Sequence, residues 1–169
     1  AAAVQQAIFQ QCGLDAQIKW VNDLYLDGKK ICGILTEAAF DCESGAMAYA
    51  VVGIGINIAH PAAGLPEALT PIVGSLYGSD APPEGIRQTL AARIVRNLTD
   101  YYHQLPKTPF MSVYREKNMI LGRRVRVSST GRTALAVAID DAAGLVVQDC
   151  QTGAETTLTY GEVSVLPLE

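Results

Sequence analysis

Lys30 opens an apolar run, Lys30–Leu35, and Gly33 stands three residues after it. A lysine so placed either snorkels at a strand end or is held over a pocket. Asn22 and Asp23 follow Trp20 in a polar stretch, which by itself suits an Asx-type turn leading into the next strand. Gly53 and Gly55 flank Ile54 near the end of a second apolar run, with Asn57 two residues further on. Paired glycines let a ligand come close to the backbone at a strand end. No third glycine follows and no helical pattern begins there, so a dinucleotide site of the Rossmann type is excluded. Asn57 carries a donor and an acceptor on one amide, the pattern that reads an adenine edge, and it equally suits a turn cap.

These groups need elements to carry them. Residues 1–12 have Val4, Ile8 and Gln11 at helical spacing, and Gly13 stands where a helix ends. Ala16–Trp20 reads as a short strand. Leu24–Leu26 and Lys30–Leu35 flank Asp27-Gly28, a hairpin signal. The long apolar stretch Ala46–Ile58 predicts a central strand buried on both faces. Residues 59–83 hold five prolines and form a long connection, with one short helix expected around Ile72–Tyr77. Ile86, Leu90, Ile94 and Leu98 mark an amphipathic helix that ends before Pro106, and a second helix is expected from Pro109 to Asn118. From Leu121 onward short alternating segments separated by turns (Val125–Val127, Leu135–Ile139, Leu145–Val147, Thr156–Tyr160, Val163–Leu166) predict a small β-barrel or folded sheet. A boundary near residue 119 follows, giving segments 1–118 and 119–169.

Composition removes several classes of function. The 169 residues carry a net charge of −4, which gives no basic face to replace phosphate counterions and so no support for a DNA partner. There is no apolar run long enough for a bilayer and no signal segment. Cys12, Cys32, Cys42 and Cys150 show no CxxC spacing, and His60 lies far from His103. Neither a metal site nor a disulfide framework is expected; reduced thiols in a cytoplasmic protein are. The chain opens Ala1-Ala2-Ala3-Val4 in helix-like sequence, which reads as a chain entered partway through a domain.

Taken in order, Lys19-Trp20-Val21-Asn22-Asp23, then Lys30 through Gly33-Ile34-Leu35 to Glu37, then Gly53-Ile54-Gly55-Ile56-Asn57 resemble the signature blocks of biotin–protein ligases. Gly122, Ile139-Asp140, Gly144-Leu145 and Gly161-Glu162-Val163 are similar to that family's small SH3-like final domain. Val21 departs from the pattern, standing where the family has Pro, which frees φ and restores a backbone N–H. Ala134 and Ala138 stand where the family often has Gly.

The resemblance implies an α+β fold: part of a mixed sheet of the class II aminoacyl-tRNA synthetase kind with helices, then an SH3-like barrel. It implies a ligase that joins biotin to ATP as biotinyl-5′-AMP and passes biotin to a lysine of a biotin carboxyl carrier domain, with Mg2+ held mainly by phosphates and water. Lys30 and Asp23 would be catalytic. Lys30 would stabilise the meeting of carboxylate and phosphate, two anions that repel each other. Asp23 would hold the incoming amine and help remove its proton. Lys30, Gly33 and Leu35 would bind biotin, and Asn22, Gly55 and Asn57 the nucleotide. The family's Gly/Arg-rich loop is not found in this sequence, so the chain alone is expected to be inactive or nearly so, with exposed strand edges that favour homo-oligomers. Two alternatives stay open: a binding module that makes no adenylate, and a relative of lipoate–protein ligases. The KWxND and GIL blocks favour biotin.

Overall fold

The computed structural model describes residues 1–159 and 163–165. Asp27 and Gly28 adopt φ of 50° and 76°, the left-handed pair of a tight two-residue hairpin turn, as their sequence predicts. This turn joins β2 (Asp23–Leu26) to β3 (Lys29–Phe40), and β3 continues to β4 (Met47–Ile56). With β1 (Gln17–Lys19) they form a four-stranded sheet in the order β1-β2-β3-β4, antiparallel at every pair.

Helix α1 (Ala2–Cys12) ends at Gly13, whose φ of 69° and bond to the Phe9 carbonyl close the last turn. Helix α2 (Ile86–His103) packs beside it. Asn97 donates to the Ala3 carbonyl at 3.2 Å and the Tyr101 hydroxyl to Gln6 at 2.6 Å. Ile86, Leu90 and Ile94 form the buried stripe of α2, and Leu90 and Ile94 meet Val4, Ile8, Leu24 and Ile31 in one apolar cluster between the helices and the sheet.

Helix α3 (Phe110–Glu116) leads into a second antiparallel sheet of β5 (Arg124–Val127), β6 (Thr133–Ile139), β7 (Leu145–Asp149), β8 (Glu155–Leu158) and β9 (Val163–Val165), in the order β8-β7-β6-β5-β9. The expected segments 125–127, 135–139 and 145–147 fall inside strands. Tyr160, Gly161, Glu162 and Leu166 lie outside the described residues. A second apolar cluster joins this sheet (Val125, Ala136, Leu145, Val147) to Ile18, Trp20, Met111 and Tyr114.

Three expectations are corrected. The first sheet is antiparallel rather than mixed; parallel pairing among the described residues is confined to isolated bridges, Lys30–Val73 and Ile18–Asn118. Ile72–Tyr77 forms no helix, because Lys30 spends its backbone N–H on the Ile72 carbonyl and its C=O on the Gly74 N–H, which holds this segment alongside β3. Within the described residues the stretch 46–58 forms an edge strand and not a central one. Among the described residues β4 pairs with β3 alone, and Met47, Tyr49, Val51 and Val52 are 60, 62, 54 and 45% exposed. An apolar run calls for cover on both faces; Ile54 and Ile56 pack against the helix–sheet cluster, whereas Met47, Tyr49, Val51 and Val52 stay exposed among the described residues.

Candidate functional site

A cavity of about 620 Å³ opens where the loop between β1 and β2 faces β3 and β4. That is the size range of small-molecule sites. Lys19, Asn22, Asp23, Lys30, Gly33, Leu35 and Gly55 all line it, so the sequence blocks meet in one place although they are far apart along the chain.

The register explains how. Asp23 sits opposite Gly33, and Gly33 opposite Gly55, so all three share one face of the sheet. Lys30 is three residues from Gly33, and in a regular strand its side chain would point to the other face. The pairing jumps from Leu24–Cys32 to Tyr25–Lys30, which leaves Ile31 as an extra residue. This bulge turns Ile31 and Cys32 both inward and swings Lys30 round to the cavity side. Its Nζ lies 2.7 Å from Asp23 Oδ1, with the two side chains 39 and 23% exposed. Lys30 is therefore held over the pocket and is not a strand-end lysine trailing in water.

The floor is bare backbone. A Cβ added at Gly33 would meet Lys30 and Asp23 at 3.5–3.6 Å, at Gly53 the Leu35 carbonyl at 3.7 Å, and at Gly55 the Gly33 carbonyl at 3.8 Å. None of these is a clash, and none of the three glycines has positive φ. Neither sterics nor backbone conformation requires glycine here. What the missing side chains provide is room for a ligand against the strand. Two lysines (Lys19 and Lys30) and one carboxylate (Asp23) line the cavity among the described residues, a balance suited to an anionic guest.

Asn22 is tied down. Its side-chain amide donates to the Ile34 carbonyl, and its own carbonyl accepts from the Ile34 N–H at 3.1 Å. Asn57 lies one residue past β4 and off the cavity, donating from its side chain to the Gly74 carbonyl at 2.9 Å. Its Oδ1 is the part left to meet a ligand. Leu35 is exposed at the rim. The Trp20–Val21 peptide is cis. Burial pushes the Cys32 thiol up to about 11, so it stays protonated at neutral pH and is no nucleophile.

Lining residues beyond those expected from the sequence include Lys19, whose Nζ lies 5.9 Å from the Tyr25 ring centroid, and Val163 of β9. The position of Lys19 in the KWxND block was a usable signal. Val163 had none, because it reaches the cavity only through tertiary packing.

A cation held over a glycine floor at the end of an antiparallel hairpin is an arrangement for binding a carboxylate or phosphate. Residues 3–57 match the model of the biotin/lipoate A/B protein ligase family. The chain is 30% identical over 154 residues to the bifunctional ligase/repressor BirA of Bacillus subtilis, covering 88% of this chain and 46% of that protein. It is 34% identical over 163 residues to the biotin–[acetyl-CoA-carboxylase] ligase of Paracoccus denitrificans, covering 88% of this chain and 64% of that one. The biotin protein ligase from Aquifex aeolicus in complex with biotin and ATP superimposes with a TM-score of 0.73 at 25% identity, over 97% of this chain and 67% of that chain. The chain spans about half the length of the BirA relatives it matches. Among the described residues no helix is long and apolar enough to cross a membrane.

Proposed function

We propose that this chain carries the biotin- and adenylate-binding wall of a cytoplasmic biotin–protein ligase. The observation that carries the reading is the Lys30 ammonium fixed by Asp23 above Gly33. In the reaction, a biotin carboxylate oxygen attacks the α-phosphorus of ATP and pyrophosphate leaves. The ε-amine of a carrier-domain lysine then attacks the acyl carbon of biotinyl-5′-AMP, and AMP leaves. Activation is needed because a free carboxylate is a poor acyl donor. Lys30 stabilises the charge shared by carboxylate and phosphate in both steps, and Asp23 receives the proton of the incoming amine.

The biotin ring lies on Gly33 and the backbone at Leu35. Gly55, Asn22 and Asn57 face the nucleotide, with the two asparagines offering side-chain oxygens. Magnesium would be carried by the nucleotide's phosphates and water. Residues 1–118 are read as the later part of the catalytic domain, of the class II synthetase kind, and residues 119–169 as its SH3-like module. The exposed apolar side chains of β4 favour homo-oligomers.

The test is ATP–pyrophosphate exchange, run with biotin and separately with lipoate, followed by single-turnover transfer to a biotin carboxyl carrier domain. The reading expects exchange with biotin alone, carried by this chain or by a longer form of the protein that contains it. Exchange driven by lipoate instead would move the chain to the other branch of the matched family.

A further inference from the structure

The residues Trp20, Val21 and Asn22 join β1 to β2 outside both strands, yet they form one wall of the cavity. Asn22 is held by β3, as described above. Trp20 and Val21 are held from much further along the chain. The Tyr114 hydroxyl, on α3, donates to the Val21 carbonyl at 2.7 Å across 93 residues. The Trp20 indole N–H donates to the Ala143 carbonyl at 2.9 Å across 123 residues.

Ala143 sits in the turn between β6 and β7 with φ of 64°. That turn is braced by Asp140, whose Oδ1 accepts from the N–H groups of Ala142 at 2.9 Å and Gly144 at 2.7 Å. Arg115 follows Tyr114 on α3 and closes the circuit, donating to the Ile139 carbonyl at 2.9 Å and pairing with Asp141 at 2.5 Å. Three elements thus grip one another: α3 holds the loop, α3 holds the turn, and the turn holds the loop. Tyr114 and Trp20 are both buried in the cluster that runs into the second sheet.

We propose that Tyr114 is a positioning residue for the cavity: through the Val21 carbonyl, together with the Ala143 turn, it sets where Asn22 and Asp23 stand. The second sheet is then part of the site's construction, because it fixes the wall that carries Asp23. The inference rests on the reading of the cavity as the biotin site. Burial keeps the tyrosine hydroxyl well above its usual range, so it remains a donor at every working pH. Val21, unlike a proline, does not fix φ, so an outside hydrogen bond has more to restrain here. Displacements near 1 Å in a reacting constellation lower rates by roughly 10².

Tyr114→Phe deletes only the hydroxyl and keeps the ring in its apolar surroundings. Loss of one hydrogen bond in a chain of this size lowers Tm by about 2–4 °C. Amide hydrogen exchange followed by mass spectrometry should then speed up about tenfold in the segment spanning residues 20–24, with β6 and β7 unchanged. Biotin affinity, by calorimetric titration, should fall roughly tenfold. Asp140→Ala, which touches no part of the cavity, should loosen the same loop through Ala143. Unchanged exchange in residues 20–24, or exchange that rises equally throughout the chain, overturns the proposal. So does a loosened loop with biotin affinity intact. If the parent chain binds no biotin while the loop still loosens locally, the functional reading fails and the anchoring stands.

Discussion

Two glycines in the hairpin separate the demands of folding from those of binding. Gly28 adopts φ of 76° with nothing near its absent Cβ, whereas Gly33 has ordinary φ and a Cβ there would rest at 3.5–3.6 Å from Lys30 and Asp23. Gly28→Ala therefore strains the backbone by about 1–2 kcal/mol and leaves the cavity as it is. Gly33→Ala meets only van der Waals contacts and gains back some chain entropy, a change of about 0.5–1 kcal/mol in favour of folding. Its methyl, however, stands on the floor where the ligand should lie. Forcing an extra methyl into a filled site costs about 1–3 kcal/mol, which is roughly 5- to 150-fold in biotin affinity. Thermal unfolding and calorimetric titration of both variants form the assay. The expected pattern is a crossed one: Gly28→Ala melts earlier and binds normally, and Gly33→Ala melts normally or later and binds poorly. Gly33→Ala binding biotin as the parent does would refute the claim that the floor is kept bare for a ligand.

Lys30→Ala should lower biotin-dependent pyrophosphate exchange about 10²–10³-fold, measured in a form of the protein with exchange activity; retention within a few-fold removes Lys30 from the mechanism. Asn57→Ala should weaken ATP binding more than biotin binding, by separate titrations, while equal losses would leave it a tether for the Gly74 segment. Burial raises the Cys32 thiol from an ordinary value of 9.0 to about 11. Its contribution to stability is thus complete below pH 9 and is lost as pH rises towards 11, because the unfolded chain ionises first. Tm should fall over that interval, and Cys32→Ala should flatten the slope; an equal slope in the variant would assign the fall to other groups.

Much of the fold was legible because it rests on local rules. Asp27-Gly28 fixed a turn, Gly13 ended a helix, and the spacing of Ile86, Leu90 and Ile94 fixed the face that α2 buries. The order of the three blocks also indicated which residues would meet. Several features needed the third dimension. The Ile31 bulge that brings Lys30 to the Gly33 side is a register event, and residue spacing alone would have put them on opposite faces. The exposure of β4 could not be read from its apolar run, because apolarity reports the cover a strand calls for. The tether of Asn57 to Gly74, and the reach of Tyr114 to Val21, join residues too far apart for any pattern to reveal.

The central claim is that biotin occupies the cavity between the Trp20–Asp23 loop and the glycines of β3 and β4. Nuclear magnetic resonance of the isotope-labelled chain, titrated with biotin and in parallel with lipoate, addresses it directly. The account predicts saturable shifts confined to the amides of Asn22, Asp23, Gly33, Leu35 and Gly55 with biotin, and none of comparable size with lipoate. Shifts that cluster elsewhere, or a larger response to lipoate at the same residues, would contradict it.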